Sequence, residues 1–239
     1  MNSFAMQNSS NLLALWRCYG AEKKGGLWFS TGWPHRVWHD TLDYDTTIRA
    51  LSDIHINEKY QVATMSNKST EVNVSSTELN ADATLRLMHF HIPRAPQILE
   101  SHARLELLER DDMEGIRAFM NMCSEGFGYA IELASLCRAA KQEGAKLGFL
   151  QVNNVRVATI LLFRQGESLG VFQLTVPPNY RGKQYATQLM LQTIDWAQTQ
   201  GVSLITLQAS DMGLALYQRL GFKTSGSITF WRQQCTGSH

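Results

Sequence analysis

The chain has 239 residues, 44% of them hydrophobic, and a net charge of +1, so it has room for one large α/β domain or two small ones. No global basic excess exists to condense on nucleic acid or an anionic membrane, and any anion site must therefore be local. The cysteines Cys18, Cys123, Cys137 and Cys235 form no CxxC pair and suit neither zinc nor a disulfide framework. With no apolar run of bilayer length and no signal-peptide pattern in Met1–Asn11, the expectation is a cytoplasmic protein with reduced thiols.

In chain order, Asn11–Tyr19 reads as a helix with Leu12, Leu15, Trp16 and Tyr19 on one face and Asn11 as its cap. Gly25-Gly26 breaks the chain before a strand at Leu27–Phe29, Gly32-Trp33-Pro34 signals a turn, and Arg36–Trp38 resumes a strand. Thr46–Leu51 suggests a short helix. Thr64 to Thr84 is rich in Ser, Thr, Asn and Glu, and reads either as a strand pair around a polar loop or as a segment without fixed structure. Leu85–Ile92 is a strand, and Pro93 and Pro96, which lack an N–H for a ladder, mark a connector. That connector divides the chain into an N-terminal α/β region, residues 1–96, and a second domain, residues 97–239.

The second region has a regular order. A strand at Leu105–Leu108 precedes a helix capped by Asp111-Asp112 and running to about Met122. Gly126 and Gly128 interrupt before a helix at Tyr129–Gln142, closed by Gly144. Strands follow at Lys146–Val152, Val155–Phe163 and Leu169–Val176, the second nearly all apolar, as for a strand covered on both faces. Gly182–Thr199 is an amphipathic helix closed by Gly201. Val202–Gln208 is a strand, Gly213–Leu220 a short helix and Ser227–Trp231 a last strand.

The informative run is Leu174-Thr175-Val176-Pro177-Pro178-Asn179-Tyr180-Arg181-Gly182-Lys183-Gln184-Tyr185-Ala186. A buried strand ends at a proline pair, and a small-residue loop leads into a helix whose first amides and dipole favour an anion. Arg181 and Lys183 add charge there, while Gly182 and Ala186 leave the backbone open, which makes a seat for a pyrophosphate. Neither GxxxxGK(S/T) nor GxGxxG is present.

This segment resembles the acyl-CoA pyrophosphate loop of the GNAT superfamily, Q/R-x-x-G-x-G/A, with Arg181 first, Ala186 last and Gln184 in place of the usual fourth-position Gly. Downstream, Tyr217, Leu220, Gly221 and Phe222 match the superfamily's Tyr-x-x-Leu-Gly-Phe pattern, and Ser210 stands where many members carry Asn. The resemblance spans about Leu105 to Trp231. It implies a mixed, mostly antiparallel α/β sheet flanked by helices, and acetyl-CoA as acyl donor with no metal. It further implies that backbone amides of Arg181, Gly182, Lys183, Gln184, Tyr185, Ala186 and Thr187 hold the pyrophosphate, and that Leu174, Thr175 and Val176 pair with the pantetheine arm. An amine, on a small molecule or a protein, attacks the thioester while Tyr217 acts as general acid and an amide near Val176 stabilises the oxyanion.

The general base is open: Glu125, Glu132 and Glu167 are carboxylates within the fold's reach, each also readable as a solvated charge, and a water chain is the alternative. A non-catalytic acyl-CoA sensor and a longer-chain acyltransferase are the competing functions, and a homodimer is compatible with the sequence. His89 and His91 share a strand face without a third metal ligand in view. Trp28, Trp33 and Trp38 read as core, although their closeness to His35 and Arg36 leaves room for a role lining a cleft. The N-terminal region is compatible with a degenerate copy of the same fold. It has no pyrophosphate loop, so it is expected to bind no acyl-CoA, to complete the acceptor cleft and to cover a sheet edge.

Overall fold

The computed structural model describes residues 3–52, 54, 56–66, 79–93 and 103–233. Cys235, Pro96, residues 67–78 of the polar stretch and the junction between residues 96 and 97 lie outside them. The elements run α1 (Ser3–Tyr19), β1 (Ala21–Lys24), β2 (Leu27–Ser30), β3 (Arg36–Asp43), α2 (Tyr44–Leu51), β4 (Gln61–Ser66), β5 (Leu79–His91), β6 (Ala103–Leu107), α3 (Met113–Phe127), α4 (Leu133–Ala140), β7 (Ala145–Val152), β8 (Val155–Gln165), β9 (Ser168–Thr175), α5 (Tyr185–Thr199), β10 (Leu204–Ala209), α6 (Asp211–Arg219) and β11 (Lys223–Gln233).

All eleven strands join one sheet in the order β1-β2-β3-β4-β11-β5-β10-β9-β8-β7-β6. Among the described residues only β3–β4 and β9–β10 pair in parallel, as expected for strands joined through a helix. The sheet is thus mixed and mostly antiparallel, with helices on both faces, as the sequence implied. The order also repeats when read from its two ends. In each half a hairpin leads to a strand, a helix and a parallel strand (β2-β3-α2-β4 and β8-β9-α5-β10). Each half then continues the sheet with the strand that the other half supplies: β11 pairs with β4, β5 pairs with β10, and β5 and β11 pair with each other at the centre.

Three apolar clusters follow from the strand alternation. One lies beneath α1, α3 and α4, and includes Leu15, Trp16, Tyr19, Trp38, Phe119, Leu136 and Phe230. A second lies beneath α5 and α6, with Leu189, Met190, Leu207, Tyr217 and Phe222. A third joins Leu27, Val37, Val62 and Trp231 to α2. Each fully buried large side chain contributes about 1.5–3 kcal/mol; Trp38 is one of them and Trp33 is buried core, as expected, whereas Trp28 is only half-buried against the cluster.

Several boundaries differ from expectation for identifiable reasons. α1 begins at Ser3, and Asn11 does not cap it: the side chain is buried in mid-helix and donates from Nδ2 to the Phe163 carbonyl (3.0 Å). Asp112, as expected, caps α3 through the Gly115 amide (2.8 Å). Gly126 does not interrupt that helix, which ends instead at Gly128, a left-handed cap with φ 77°. α4 starts at Leu133, not Tyr129.

Candidate active site

β9 and β10 pair from Ser168↔Leu204 to Val171↔Leu207 and then part. The cause lies in β9 itself. Against β8, the pair Phe172↔Leu161 is followed by Thr175↔Thr159, so β9 carries one extra residue, and Gln173 adopts φ 44°. Such a bulge bends its strand away from a neighbour. It is held from three sides: Thr159 Oγ1 donates to the Gln173 carbonyl (2.9 Å), Cys123 Sγ lies 3.2 Å from Thr159 Oγ1, and the Tyr19 hydroxyl donates to Gln173 Oε1 (2.9 Å). Since β9 and β10 do not pair beyond Val171↔Leu207, Leu174, Thr175 and Val176 on one side and Gln208, Ala209 and Ser210 on the other border the gap where the two segments part.

The loop that leaves this gap forms a 3-10 turn at Pro178–Tyr180. Gly182 (φ 78°) and Gln184 (φ 58°) then take left-handed conformations that no right-handed helix follows, so α5 starts at Tyr185 and not at Gly182. The first amide used inside the helix is that of Gln188, which donates to the Gln184 carbonyl (3.0 Å). Those just before it therefore lack an intrahelical acceptor, and no acidic residue stands in the first turn. Lys183 is exposed there. Arg181 is occupied differently from expectation: its amide donates to the Pro178 carbonyl (3.2 Å), Nε to the Val176 carbonyl (3.0 Å) and Nη2 to the Gly126 carbonyl (2.8 Å). Its guanidinium clamps the loop to the end of β9 and to α3.

On the far wall, Ser210 caps α6, its Oγ accepting from the Gly213 amide (3.4 Å). Tyr217 follows on α6, packed with Ala209 and Leu207 and edge-on to Phe222 (5.7 Å). Burial pushes its phenol up to about 12, and its hydroxyl makes no hydrogen bond among the described residues.

The N-terminal elements close the other face. Asn8 Nδ2 donates to the Met88 and Leu207 carbonyls (2.9 Å each), and Asn8 Oδ1 accepts from Gln208 Nε2 (2.5 Å), which pins α1 across β5 and β10 beside the gap. Trp33 donates its amide to Glu132 Oε2 (3.1 Å) and packs edge-on to Tyr19 (5.0 Å). Sequence reasoning missed Asn8, Tyr19 and Gln173. The available signal was two asparagines, Asn8 and Asn11, on the helix face that also carries Leu12 and Leu15.

Of the three carboxylates considered as base, Glu132 accepts from Ser135 Oγ (2.6 Å) as well as Trp33, and these bonds, Ser135 first, hold its carboxyl below the usual range. Glu167 accepts from Ser203 Oγ (3.1 Å) at the opposite end of β10 from the gap. Glu125 is exposed, one residue before Gly126. His89 is buried against Phe4 (ring centroids 4.2 Å), and no group of metal-ligating side chains occurs among the described residues. No helix among them is long and apolar enough to cross a membrane.

Comparison with known proteins agrees with this geometry. A family model described as the acetyltransferase (GNAT) family matches residues 104–222. A GCN5-related N-acetyltransferase from Kribbella flavida superposes with a TM-score of 0.68 at 13% identity, covering 100% of this chain and 98% of that one. A putative GNAT-family acetyltransferase from Novosphingobium aromaticivorans gives a TM-score of 0.64 at 13% identity, covering 98% and 100%. A GCN5-related N-acetyltransferase from Sphaerobacter thermophilus gives 0.61 at 15% identity, covering 82% and 71%. No curated protein matches the chain. Residues 104–222 are a GNAT-family acetyltransferase domain, and the protein is an acyltransferase enzyme.

Proposed function

We propose that the enzyme transfers an acetyl group from acetyl-CoA to an amine by direct attack. The observation that carries this reading is the gap between β9 and β10, with the open mouth of α5 at one end and Tyr217 on its wall. The CoA diphosphate binds the amides of Gly182, Lys183, Gln184, Tyr185, Ala186 and Thr187, helped by the Lys183 ammonium, while Arg181 shapes the loop. The pantetheine arm pairs with the backbone of Leu174, Thr175 and Val176, opposite Ser210. The amine nitrogen attacks the thioester carbon, and the developing oxyanion is stabilised by the Val176 amide. The C–S bond breaks, and the leaving sulfur takes its proton from the Tyr217 hydroxyl. The proton lost by the amine returns through solvent to the tyrosine, so the products are the amide and free CoA thiol. A phenol pushed up to about 12 stays protonated throughout the neutral range, the form this role needs.

The N-terminal region, residues 1–96, is read as a degenerate copy of the domain at 97–239. The repeated strand order supports this. In the helix mouth that corresponds to α5, Asp43 caps α2 directly, accepting from the amide (2.9 Å) and hydroxyl (2.7 Å) of Thr46. A carboxylate at that point repels a phosphate, so the acyl-CoA site belongs to the second domain alone. The free thiols of Cys18, Cys123 and Cys137 fit a cytoplasmic setting.

The test is to incubate the full chain with acetyl-CoA and a panel of amines while following thiol release and amide formation. Acetylation of at least one amine is expected. Tight acetyl-CoA binding without transfer to any acceptor would favour a sensor instead, and no binding at all would remove the reading.

A further inference from the structure

One cation of the N-terminal half has no counter-ion among the described residues. Arg36 opens β3. Its guanidinium lies 4.5 Å from the centroid of the Phe230 ring, and Nη1 donates to the Pro34 carbonyl (2.9 Å). It forms no ion pair among the described residues. The carboxylate that acts on it electrostatically, Asp82, is taken by Arg232 (2.8 Å) and by Gln61 Nε2. Burial lowers the Arg36 pKa to about 10, which still leaves it charged at neutral pH. Most of the five donors of a guanidinium are thus unclaimed by the protein, and since none of the Arg36 nitrogens is both buried and unpartnered, they reach the surface, where a ligand can accept from them.

Its position relative to the gap follows from the register. Ala209 at the end of β10 is level with Arg86 and, across β5, with Ser227, and Phe230 lies three residues further along β11. At about 3.4 Å per residue and about 4.8 Å per strand, Phe230 stands roughly 10 Å ahead and roughly 10 Å across from the end of β10. Phe230 belongs to the face covered by α1, α3 and α4. At the C-terminal end of α3, Phe127 stacks on Tyr129 (5.6 Å), both exposed, and Tyr129 is within electrostatic reach of Arg36.

We infer that Arg36 recognises the acceptor, pairing through its planar fork with a carboxylate at the far end of an amine whose nitrogen reaches the gap roughly 14 Å away, the diagonal of those two legs and the extended length of about four residues. This rests on the acetyl-transfer reading above. Two molecules share the chemistry: a tetrapeptide-sized N-terminus with a free C-terminus, and a linear ω-amino acid of equal reach.

The experiment measures kcat/KM of the full chain at saturating acetyl-CoA for tetraglycine against tetraglycinamide and for 11-aminoundecanoate against 11-aminoundecanamide. In parallel, calorimetry measures binding of the same four probes to CoA-saturated protein. Wild type should prefer an acid over its amide by about 10- to 100-fold. Which of the two acids is preferred tells the peptide from the linear acid. Arg36→Gln should bring that ratio close to one, and Arg36→Lys, which keeps the charge and loses the fork, should leave an intermediate ratio. If Arg36→Gln does not fold, the lysine variant decides: an undiminished ratio overturns the inference. Equal use of acids and amides by wild type, or a preference that survives Arg36→Gln, overturns it as well, while acetylation of the amides leaves the acetyl-transfer reading standing. If no probe is acetylated, calorimetry decides: acid binding abolished by Arg36→Gln supports the carboxylate site, and absence of acid binding by wild type removes it.

Discussion

Gly126→Ala tests whether α3 sets the position of the strand that is proposed to carry the thioester. Gly126 sits in the last turn of α3 with ordinary helical backbone, so alanine should gain about 1 kcal/mol of helix propensity. The added methyl would, however, stand 2.5 Å from Thr175 Oγ1, 2.6 Å from Cγ2 and 3.1 Å from Cβ. Because Thr175 is β-branched, rotation about χ1 cannot clear the helix, and even Cβ stays closer than ordinary contact. Relief therefore needs α3 and the end of β9 to separate by about 0.9 Å, from 2.5 Å to the 3.4 Å at which ordinary contact begins. Overpacking of this kind costs about 1–3 kcal/mol. The net loss is then about 0–2 kcal/mol, or a Tm lower by up to about 8 °C for a chain of this size. Activity should suffer more, because the displaced residues lie in the gap and the Gly126 carbonyl accepts from Arg181. A shift of about 1 Å in a reacting geometry costs on the order of 100-fold. The assay is kcat and KM for acetyl-CoA beside a thermal melt. Wild-type kcat with a raised Tm would show that the gap does not depend on this packing and would refute the reasoning.

Three further outcomes are expected. Tyr217→Phe should lower kcat by about 100-fold with little change in the KM for acetyl-CoA, and the wild-type rate should show no basic limb from this residue below about pH 11, since its pKa is about 12; unchanged turnover in the variant removes the acid role. Asn8→Ala should strand the Met88 and Leu207 carbonyls and the Gln208 amide, costing about 2–4 kcal/mol and lowering Tm by roughly 5–15 °C; a loss under about 1 kcal/mol would mean that α1 is held by its apolar face alone. Finally, burial raises Cys123 from 9.0 to about 12, Tyr217 from 10.0 to about 12 and Tyr19 well above 10.0. All three favour the neutral form in the fold, so the stability linked to them is complete below the unfolded pKa values and is lost as pH rises through the folded ones. Tm should hold to about pH 9 and fall steeply above it; a flat profile to pH 11 would contradict these environments.

The sequence by itself determined what depends on near neighbours. The strand, proline pair, loop and helix around Arg181 are local chemistry, as is the short helix expected at Gly213–Leu220, and both helices appear within three residues of the expected bounds, at Tyr185–Thr199 and Asp211–Arg219. Alternation and 3.6-residue periodicity also located β7, β8, β9, β10 and α5 to within a few residues. What failed locally failed for local reasons. β1 is four mostly exposed residues, Ala21–Lys24, with no apolar pattern to read, and β4 begins with a buried Gln61. In the polar stretch, the strand-pair alternative was partly right: strands β4 and β5 flank residues 67–78, yet they do not pair with each other, since β11 lies between them. Tertiary structure alone decided that exchange of strands, because pairing partners far apart in sequence leave no mark on either segment. It also decided the use of single polar groups. Arg181 became a clamp on two carbonyls, Asn8 a pin across two strands, and Arg36 a cation without a counter-ion among the described residues, since a side chain's hydrogen-bonding duty is set by which backbone groups the fold brings within 3 Å of it.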